Sequence, residues 1–452
     1  MPSLVIQLAR MGDLLQTKRL LISLAQDDDV HLLVDHSLAA FARKIYPFAV
    51  IHEIAAHNSR TACEQPEPGN SEHPAQSESE IQLRRLTGCS GLLQRIFPAL
   101  TGLRTYNFSR VYNLNYSGLN LALSTLWEAS KLRGYWLDRG QEMRSFWLDF
   151  AFRWAAQRRS APVNLMDLWG MLAPYPIEAG QVNPAALARG GGLGIMLGGR
   201  MARRSIPPQL WAAHIGIVCQ RMGWPEVTLF GTKDEQPLAR EVLCTLPAAI
   251  LSKTRNLAGK TGLSDLAGEI SRLDRLLTPD TGGMHLAAHF GVPVEAFFLS
   301  SAWVHETGPY GEGHIIWQAI APCLPCLEVR RCPHSVQCLA VFSKPEFMKL
   351  LSHFPAGSNK PGGRGAMPAG LLCLKSGFDR LGVVYSNALL PHHDHTEEIT
   401  LQERQRAELR RLAANCNAEK LKGSAPAGNT ADDNSVYESF FRESDWMLPK
   451  QE

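Results

Sequence analysis

The sequence predicts an α/β protein made of two doubly wound halves. Apolar runs of strand length alternate with helical apolar patterns in two separate series, as expected for parallel sheets covered by helices on both faces. A stretch rich in Pro, Ala and Gly, residues 174–192, separates the two series. The chain of 452 residues is also too long for a single core. Together these observations favour two domains.

The first half begins with an apolar run over residues 3–9 that is typical of a buried strand. Apolar residues then recur at helical spacing after a turn that contains Asp13. In parallel sheets ligands bind beyond the carboxyl ends of the strands, which is where Asp13 falls. The predicted series continues with strands over 30–34, 50–54 and 110–115 and helices over 14–24, 38–45 and 119–129.

Two segments interrupt this regular series. Residues 56–80 are rich in Pro, Ser, Glu, Asn and His, a composition that predicts a mobile insertion. Residues 136–154 are aromatic and basic. This segment suits a membrane-facing or acceptor-facing surface, but we favour a helix that packs its aromatic side chains inward.

The second half repeats the alternation of strands and helices. Strands are predicted over 193–197, 227–230, 276–278 and 294–299, with helices over 208–222, 236–243 and 263–273. No Gly-x-Gly-x-x-Gly pattern occurs there, which argues against a nicotinamide cofactor. Beyond residue 350 we expect a hairpin over 371–385, a charged helix over 397–414 and disorder over 423–434.

Composition excludes several classes of protein. Hydrophobic residues make up 45% and charged residues 20% of the chain, and the net charge of +3 is too small to predict nucleic-acid binding. No apolar run approaches the roughly 18 residues of a membrane span. The N-terminus lacks the basic and apolar regions of a signal peptide. Ten cysteines without such a signal favour reduced thiols. We therefore expect a cytoplasmic protein, with loose association with the inner membrane left open.

The most informative stretch runs from Leu277 to Pro293. An apolar strand leads into Asp280-Thr281-Gly282-Gly283, and a short helix containing His285 follows. A helix N-terminus presents N–H groups and partial positive charge, and glycine lets an anion approach the backbone. The pattern predicts an anion site. The local alternative is a strand–helix corner in which Asp280 only caps the helix.

Three motifs in order resemble glycosyltransferase family 9, the heptosyltransferases. Asp280 to Ala288 resembles the donor-site signature of the family, Thr307-Gly308-Pro309-Tyr310-Gly311 its next motif, and Arg10-Met11-Gly12-Asp13 its acceptor-side motif. The resemblance covers roughly the first 340 residues. It implies the GT-B fold, with an acceptor domain at 1–180, a nucleotide-sugar domain at 181–350 and an extension at 351–452.

Asp13 is the predicted catalytic residue. It follows a strand and opens a helix, whose dipole favours an ionised carboxylate. Such a carboxylate in a cleft serves as a general base for an acceptor hydroxyl. The alternative is a residue that caps the helix. Arg10 and Gly12 in the same turn are the predicted acceptor-side residues, although Arg10 also fits a solvated loop.

Two arginines are candidates for binding the donor diphosphate. Where the family carries hydroxyl residues followed by a lysine, this chain has Gly198 and Gly199, then Arg203 and Arg204. Arg204 aligns with the lysine of the family. The alignment is uncertain by one residue, so Arg203 is a second candidate for the same role. Arginine binds two phosphate oxygens at once, so the exchange is chemically sound. An exposed basic loop is the alternative.

Further donor contacts follow from the resemblance. Glu235 corresponds to the glutamate of the family that holds the donor ribose, and Lys260 lies in a loop that resembles the lining of the adenine pocket. The donor-binding set also includes Asp280, Thr281, Gly282, Gly283 and His285. An acid in the first turn of a helix is the alternative for Glu235.

Four cysteines, Cys323, Cys326, Cys332 and Cys338, lie within a short segment. Four thiolates suit a structural zinc ion. The loose spacing of the later pair and the frequency of cysteines here in the family favour a loop without metal.

The resemblance implies an inverting, metal-independent transferase that uses ADP-heptose, with no cofactor, in lipopolysaccharide biosynthesis. No Asp-x-Asp motif lies where the donor phosphates are expected. The acceptor is a lipopolysaccharide core or another surface glycan, and a protein acceptor remains an alternative. The rival from another class is a non-catalytic nucleotide-sugar-binding protein. The departures at Gly198, Gly199 and Arg204, and Lys18 in place of the usual proline of the family, keep that rival open.

Overall fold

Two β-sheets organise the chain, one in each half. The computed structural model describes residues 1–56, 99–148, 158–161, 163–198, 202–327, 331–353, 367–386, 403–407, 409 and 424–426. Nearly all of the predicted insertion at 56–80 lies outside these residues. The first sheet contains β1 (Ser3–Ile6), β2 (Val30–Asp35), β3 (Val50–Ile54), β4 (Arg110–Asn113), β5 (Leu132–Asp138), β6 (Gln141–Ser145) and β15 (Ser424–Pro426).

The strand order of the first sheet is β15-β6-β5-β4-β1-β2-β3. The pairs from β5 to β3 are parallel, whereas β6 pairs antiparallel with both β5 and β15. The chain order reverses at β1, which has β2 on one side and β4 on the other. Ligands of open parallel sheets bind at such a reversal, beyond the carboxyl end of the strand.

The second sheet has the order β14-β13-β12-β11-β10-β7-β8-β9. Its reversal point lies between the neighbouring parallel strands β7 and β10. The last two strands form an antiparallel hairpin on β12, so the predicted hairpin over 371–385 is confirmed. This sheet contains β7 (Leu193–Met196), β8 (Val227–Phe230), β9 (Thr254–Asn256), β10 (Arg275–Pro279), β11 (Val294–Phe298), β12 (Ile315–Ala319), β13 (Leu371–Phe378) and β14 (Val383–Ser386).

Helices cover the sheets between these strands. They are α1 (Met11–Gln16), α2 (Lys18–Leu24), α3 (His36–Ile45), α4 (Gly118–Ser124), α5 (Leu165–Gly170), α6 (Pro208–Arg221), α7 (Gln236–Thr245), α8 (Ala248–Leu251), α9 (Leu263–Ile270), α10 (Gly282–His289), α11 (Val304–Thr307) and α12 (Pro345–His353). The single helix predicted over 14–24 is interrupted at Thr17, whose hydroxyl donates to the Leu14 carbonyl at 2.6 Å. Such a side-chain bond competes with the helical pattern.

The predicted GT-B architecture of two doubly wound domains facing a cleft is confirmed. The outer layer of each domain has its own apolar core, around Leu4 and Val111 in the first domain and around Trp211 and Phe297 in the second. The inner layers of both domains belong to one continuous core that includes Leu14 and Met284. The facing helices therefore pack directly against each other.

Buried polar contacts also tie the domains together. The Asp167 carboxylate on α5 accepts hydrogen bonds from the Arg19 guanidinium at 2.6 Å, the Tyr310 hydroxyl at 2.5 Å and the Val383 backbone N–H at 2.9 Å. Arg19 belongs to the first domain, whereas Tyr310 and Val383 belong to the second. Removing one partner of such a buried ion pair leaves an uncompensated charge, so this contact fixes how the domains meet.

Two sequence-based interpretations were wrong. Residues 136–145 form the β5–β6 hairpin rather than a helix, with Arg139 in its turn at φ 48°. Trp136 and Trp147 are buried, so the inward packing of these aromatic side chains is correct. Ser424–Pro426 pairs with β6 where disorder was expected. In the described part of the chain, no helix has the length and apolar character needed to cross a membrane.

Candidate functional site

One cavity lies between the two domains, at the carboxyl ends of the strands where both sheets reverse. Its volume is about 440 Å³. The first domain contributes the β1–α1 turn, and the second domain contributes the ends of β7, β8 and β10. The lining includes Arg10, Met11, Gly12, Asp13, Gln16, Arg158, Gly198, Arg204, Gly231, Glu235, Thr261, Asp280, Thr281, Gly282, Gly283, His285, Ser301 and Thr307.

Asp13 is held at the mouth of the first domain by its own turn. It is the third residue of α1, and its Oδ2 accepts the backbone N–H of Arg10 at 3.2 Å. The side chain is half-buried and lines the cavity. The same carboxylate therefore caps the helix and faces the space where a ligand binds. Arg10 and Gly12 of the same turn also line the cavity.

The glycines after Asp280 allow two close contacts, one between the domains at Gly282 and one within the second domain at Gly283. A Cβ atom at Gly282 would lie 2.5 Å from Met11 Cε, and one at Gly283 would lie 2.1 Å from Met196 Cε. The first turns of α1 and α10 thus meet across the cleft, since a Cβ atom at Gly12 would lie 3.6 Å from the Gly282 Cα atom. The first N–H groups of α10 have no acceptor within the helix and suit an anion.

Asp280 lies next to a hydroxyl group, a guanidinium and an imidazole. Oδ2 accepts a hydrogen bond from the Thr307 hydroxyl at 3.2 Å and lies 3.6 Å from the Arg204 guanidinium, while Oδ1 lies 3.9 Å from His285 Nε2. The contact with Thr307 joins the motif that begins at Asp280 to the next motif, which begins at Thr307. Burial lowers the pKa of His285, although the Asp280 carboxylate acts in the opposite direction, so the imidazole is mainly neutral at pH 7.

The structure separates the two candidate arginines. Arg204 lines the cavity, and its Nε donates to the Ser301 hydroxyl at 2.8 Å. Arg203 donates instead to the Leu327 carbonyl at 2.9 Å and is not among the residues that line the cavity. Gly198 lines the cavity, whereas Gly199 lies outside the described residues. The geometry therefore favours Arg204 as the cation that faces a ligand.

Glu235 lies against two glycines. A Cβ atom at Gly198 would lie 2.0 Å from Glu235 Oε1, and one at Gly231 would lie 2.8 Å from Oε2. Oε2 also accepts the Thr232 backbone N–H at 2.7 Å. The contacts with Gly198, Gly231 and Thr232 hold the Glu235 carboxylate at the wall of the cavity. Gly198, which replaces a hydroxyl residue of the family, makes room for it.

The family resemblance implies that this cavity binds ADP, and Gly198→Ala is then expected to weaken ADP binding about tenfold. The new methyl group would displace the Glu235 carboxylate and remove the hydrogen bond that it offers to a ligand. Titration calorimetry with ADP measures this effect. Gly216→Ala is the matched control, since nothing lies within 4 Å of a Cβ atom at that helical position. Equal ADP affinity in both variants would contradict a ligand-binding role for Glu235.

The loop containing Lys260 contributes fewer of the predicted residues to the cavity lining than expected. Lys260 is exposed, donates to the Asn256 carbonyl at 3.0 Å and is not among the cavity-lining residues. Its neighbour Thr261 does line the cavity, together with the apolar side chains of Leu263 and Leu266. These three residues form a wall that suits a flat apolar group such as a nucleobase.

Sequence reasoning missed Arg158. Its guanidinium lines the cavity and binds both Glu306 oxygens, with Nε 2.9 Å from Oε1 and Nη2 2.6 Å from Oε2. It also donates to the Ser301 and Cys326 carbonyls at 2.7 and 3.1 Å. No strand or turn pattern surrounds Arg158 in the sequence, so nothing local distinguishes it from the adjacent Arg159.

Lys18 departs from the usual proline of the family and forms another tie between the domains. Its ammonium donates to Asn183 Oδ1 at 2.8 Å and to the His289 carbonyl, at the end of α10, at 3.4 Å. Burial lowers its pKa to about 8. A cation suits the C-terminus of a helix, so this departure has a structural explanation that does not bear on catalysis.

The four clustered cysteines are free thiols. Cys326 Sγ lies 3.5 Å from the Ser300 hydroxyl, and Cys332 Sγ accepts the Val336 backbone N–H at 3.3 Å. Burial raises the pKa of the Cys338 thiol. Among the described residues, no group of three or more His, Cys, Asp or Glu side chains is arranged to hold a metal ion.

Comparison with known families identifies the second half of the chain. Residues 178–335 match the family described as glycosyltransferase family 9 (heptosyltransferase). The resemblance drawn from the sequence motifs is confirmed. The matched segment includes the cavity residues from Gly198 to Thr307, whereas Asp13 and Arg158 lie before it.

Curated relatives match over short stretches. Lipooligosaccharide heptosyltransferase 2 of Haemophilus influenzae is 35% identical over 72 residues, which cover 16% of this chain and 21% of that protein. The protein of the same name from Campylobacter jejuni serotype O:2 is 29% identical over 109 residues, which cover 24% of this chain and 34% of that protein. The matches thus span about a fifth to a third of these relatives.

Solved structures of similar proteins cover more of the chain at lower identity. A family 9 glycosyltransferase from Veillonella parvula has a TM-score of 0.49 and 15% identity over 78% of this chain and 94% of its own. Heptosyltransferase WaaC of E. coli with ADP has a TM-score of 0.46 and 16% identity over 69% of this chain and 91% of its own.

Proposed function

We propose that this protein is an inverting glycosyltransferase that transfers heptose from ADP-heptose to a lipopolysaccharide core or another surface glycan. The observation that carries this proposal is the composition of the cavity. It combines a half-buried carboxylate of the first domain, Asp13, with Arg204 and the N-terminus of α10 from the second. A base, a cation and an anion-binding helix end are the groups that sugar transfer from a nucleotide diphosphate requires.

In the proposed reaction the acceptor oxygen attacks the anomeric carbon from the face opposite the diphosphate. Asp13 takes the hydroxyl proton as the new glycosidic bond forms. The bond from the anomeric carbon to the phosphate oxygen breaks, and ADP leaves with the electron pair. Attack from the opposite face inverts the anomeric configuration.

The second domain stabilises the departing diphosphate in this proposal. The guanidinium of Arg204 and the N–H groups of Gly282 and Gly283 lie at the same wall of the cavity. Fixed donors aimed at developing negative charge are among the largest contributions to catalysis. We propose that these groups act without a metal ion or other cofactor. Asp280 orients Arg204 through their 3.6 Å ion pair.

The nucleoside portion of the donor is assigned to the part of the cavity wall that follows β8 and β9. Glu235 accepts hydrogen bonds from the ribose hydroxyls, and Thr261, Leu263 and Leu266 surround the adenine. This assignment rests on the family resemblance and on the cavity lining. A cytoplasmic location, with the acceptor at the inner face of the membrane, completes the proposal.

ADP is expected to stabilise the protein more than UDP or GDP do. A ligand at 100 times its dissociation constant adds about 2.7 kcal/mol to the free energy of unfolding. Thermal unfolding with each nucleotide at equal concentration measures the difference. Equal shifts with all three nucleotides would rule out adenine recognition while leaving diphosphate binding intact.

A non-catalytic nucleotide-sugar-binding protein is the second candidate. The observation in its favour is the hydrogen bond from the Arg10 backbone to Asp13, which gives this carboxylate a structural role. Both candidates predict ADP binding. They differ in whether ADP is released from a donor sugar as product forms.

A further inference from the structure

The wall of the cavity contains a buried polar atom for which the described residues provide no hydrogen-bond partner. Gln16 lines the cavity and is 4% exposed. Within the described part of the chain, its Oε1 atom is buried and accepts no hydrogen bond. Buried polar atoms are almost always paired, so each exception calls for an explanation.

The orientation of the Gln16 amide follows from its neighbour. Its Nε2 lies 3.4 Å from the Gly12 carbonyl oxygen, which can only accept a hydrogen bond. The nitrogen therefore belongs on that side, and the oxygen is left as an acceptor. The missing partner must be a donor, such as a hydroxyl group.

The position of Gln16 indicates which ligand supplies that donor. Gln16 lies one turn after Gly12 and therefore on the same face of α1. That face meets the first turn of α10, because a Cβ atom at Gly12 would lie 3.3 Å from the His285 ring and 3.6 Å from the Gly282 Cα atom. Gln16 thus lies on the side of α1 that faces the proposed diphosphate site.

We infer that Gln16 determines specificity for the donor sugar, with Oε1 accepting a hydrogen bond from one of its hydroxyl groups. This inference rests on the proposed function. Free ADP lacks the sugar and leaves Oε1 unpaired, whereas the complete nucleotide sugar satisfies it. A site built to bind a hydroxyl discriminates strongly against ligands that lack it.

The test is Gln16→Met, which keeps the length of the side chain and removes its polar atoms. Calorimetric titrations measure the affinities for ADP and ADP-heptose. We expect that the affinity for ADP is unchanged and that the affinity for ADP-heptose falls roughly tenfold. A roughly tenfold loss is the net effect of removing one hydrogen bond to a ligand. The melting temperature of the unliganded variant should fall only slightly, because Oε1 makes no hydrogen bond to the described residues and the bond lost at Nε2 is long, at 3.4 Å.

Gln318→Met is the matched control. Gln318 is fully buried, and its amide is paired on both sides, with the Val304 N–H at 3.0 Å and the Ala319 carbonyl at 3.0 Å. This variant should lower the melting temperature and keep the ratio of the two affinities. Gln16→Glu retains an acceptor oxygen, so it should also keep the ratio of ADP-heptose affinity to ADP affinity. This holds even if the added negative charge weakens the binding of both ligands.

The outcomes separate this inference from the proposed function. An unchanged ratio of ADP-heptose to ADP affinity in Gln16→Met overturns the role of Gln16 alone. A large fall in the melting temperature of unliganded Gln16→Met also contradicts it, since that marks a structural residue. Failure of the parent protein to bind ADP or ADP-heptose overturns the proposed function and this inference with it.

Discussion

Asp13→Asn is expected to reduce sugar transfer by about a hundredfold or more while leaving ADP affinity nearly unchanged. An amide cannot take the proton of the acceptor hydroxyl, and loss of a general base costs about 10² to 10⁴ in rate. Asparagine has the same size and still caps a helix, so a purely structural role predicts little loss. Product formation at saturating donor measures the rate, with ADP affinity and melting temperature taken on the same protein.

Asp35→Asn provides the matched control. Asp35 also caps a helix of the first domain, accepting the Ser37 backbone N–H at 3.0 Å, but it does not line the cavity. Its asparagine variant should transfer sugar at close to the parental rate. Near-parental transfer by Asp13→Asn would exclude this carboxylate as the base. It would then leave the bond to the Arg10 backbone as the function of Asp13.

Arg204→Ala is expected to weaken ADP binding roughly ten- to hundredfold. Removing a charge-assisted contact to a phosphate costs about 1.5–3 kcal/mol. The effect on transfer should be larger than the effect on binding, because negative charge on the leaving diphosphate increases in the transition state. Calorimetry with ADP and initial rates of transfer measure the two quantities.

The adjacent Arg203→Ala is the control for Arg204. Its guanidinium donates to the Leu327 carbonyl, so its removal should leave ADP affinity within about twofold of the parent. Comparable losses in both variants would indicate a general effect of the basic loop. Normal ADP binding by Arg204→Ala would show that the helix N-terminus alone binds the diphosphate.

Much of the fold follows from local patterns in the sequence. β3 and β8 coincide with their predicted ranges, and Arg275–Pro279 and Val294–Phe298 lie within a residue of theirs. These segments are continuous apolar runs or strands next to clear turns, which is the signal that parallel sheets leave in a sequence. β9 was missed because Thr254–Asn256 is short, polar and at the edge of its sheet.

The β5–β6 hairpin shows where such patterns fail. Trp136 is buried on one strand and Arg139 adopts a left-handed conformation in the turn. Such turns usually contain glycine or asparagine, and Gly140 follows only one residue later. The aromatic and basic spacing fits a helix as well as a hairpin, so tertiary packing decided the outcome.

The site could be predicted only where it lies in contiguous motifs. Asp13, Gly282 and His285 lie beside turns that a sequence displays directly. Arg158 enters the cavity through packing between the domains, which no local pattern encodes. The choice between Arg203 and Arg204 likewise depended on side-chain direction within one short turn.

The central claim is that this protein transfers the sugar of a nucleotide donor rather than only binding it. The most direct measurement is the release of ADP from ADP-heptose in the presence of a heptose-deficient lipopolysaccharide core and a metal chelator, with the glycan product analysed by mass spectrometry. We predict one ADP for each heptose added to the acceptor, and an inverted anomeric bond in the product. Tight ADP-heptose binding without ADP release would contradict this account and identify a binding protein.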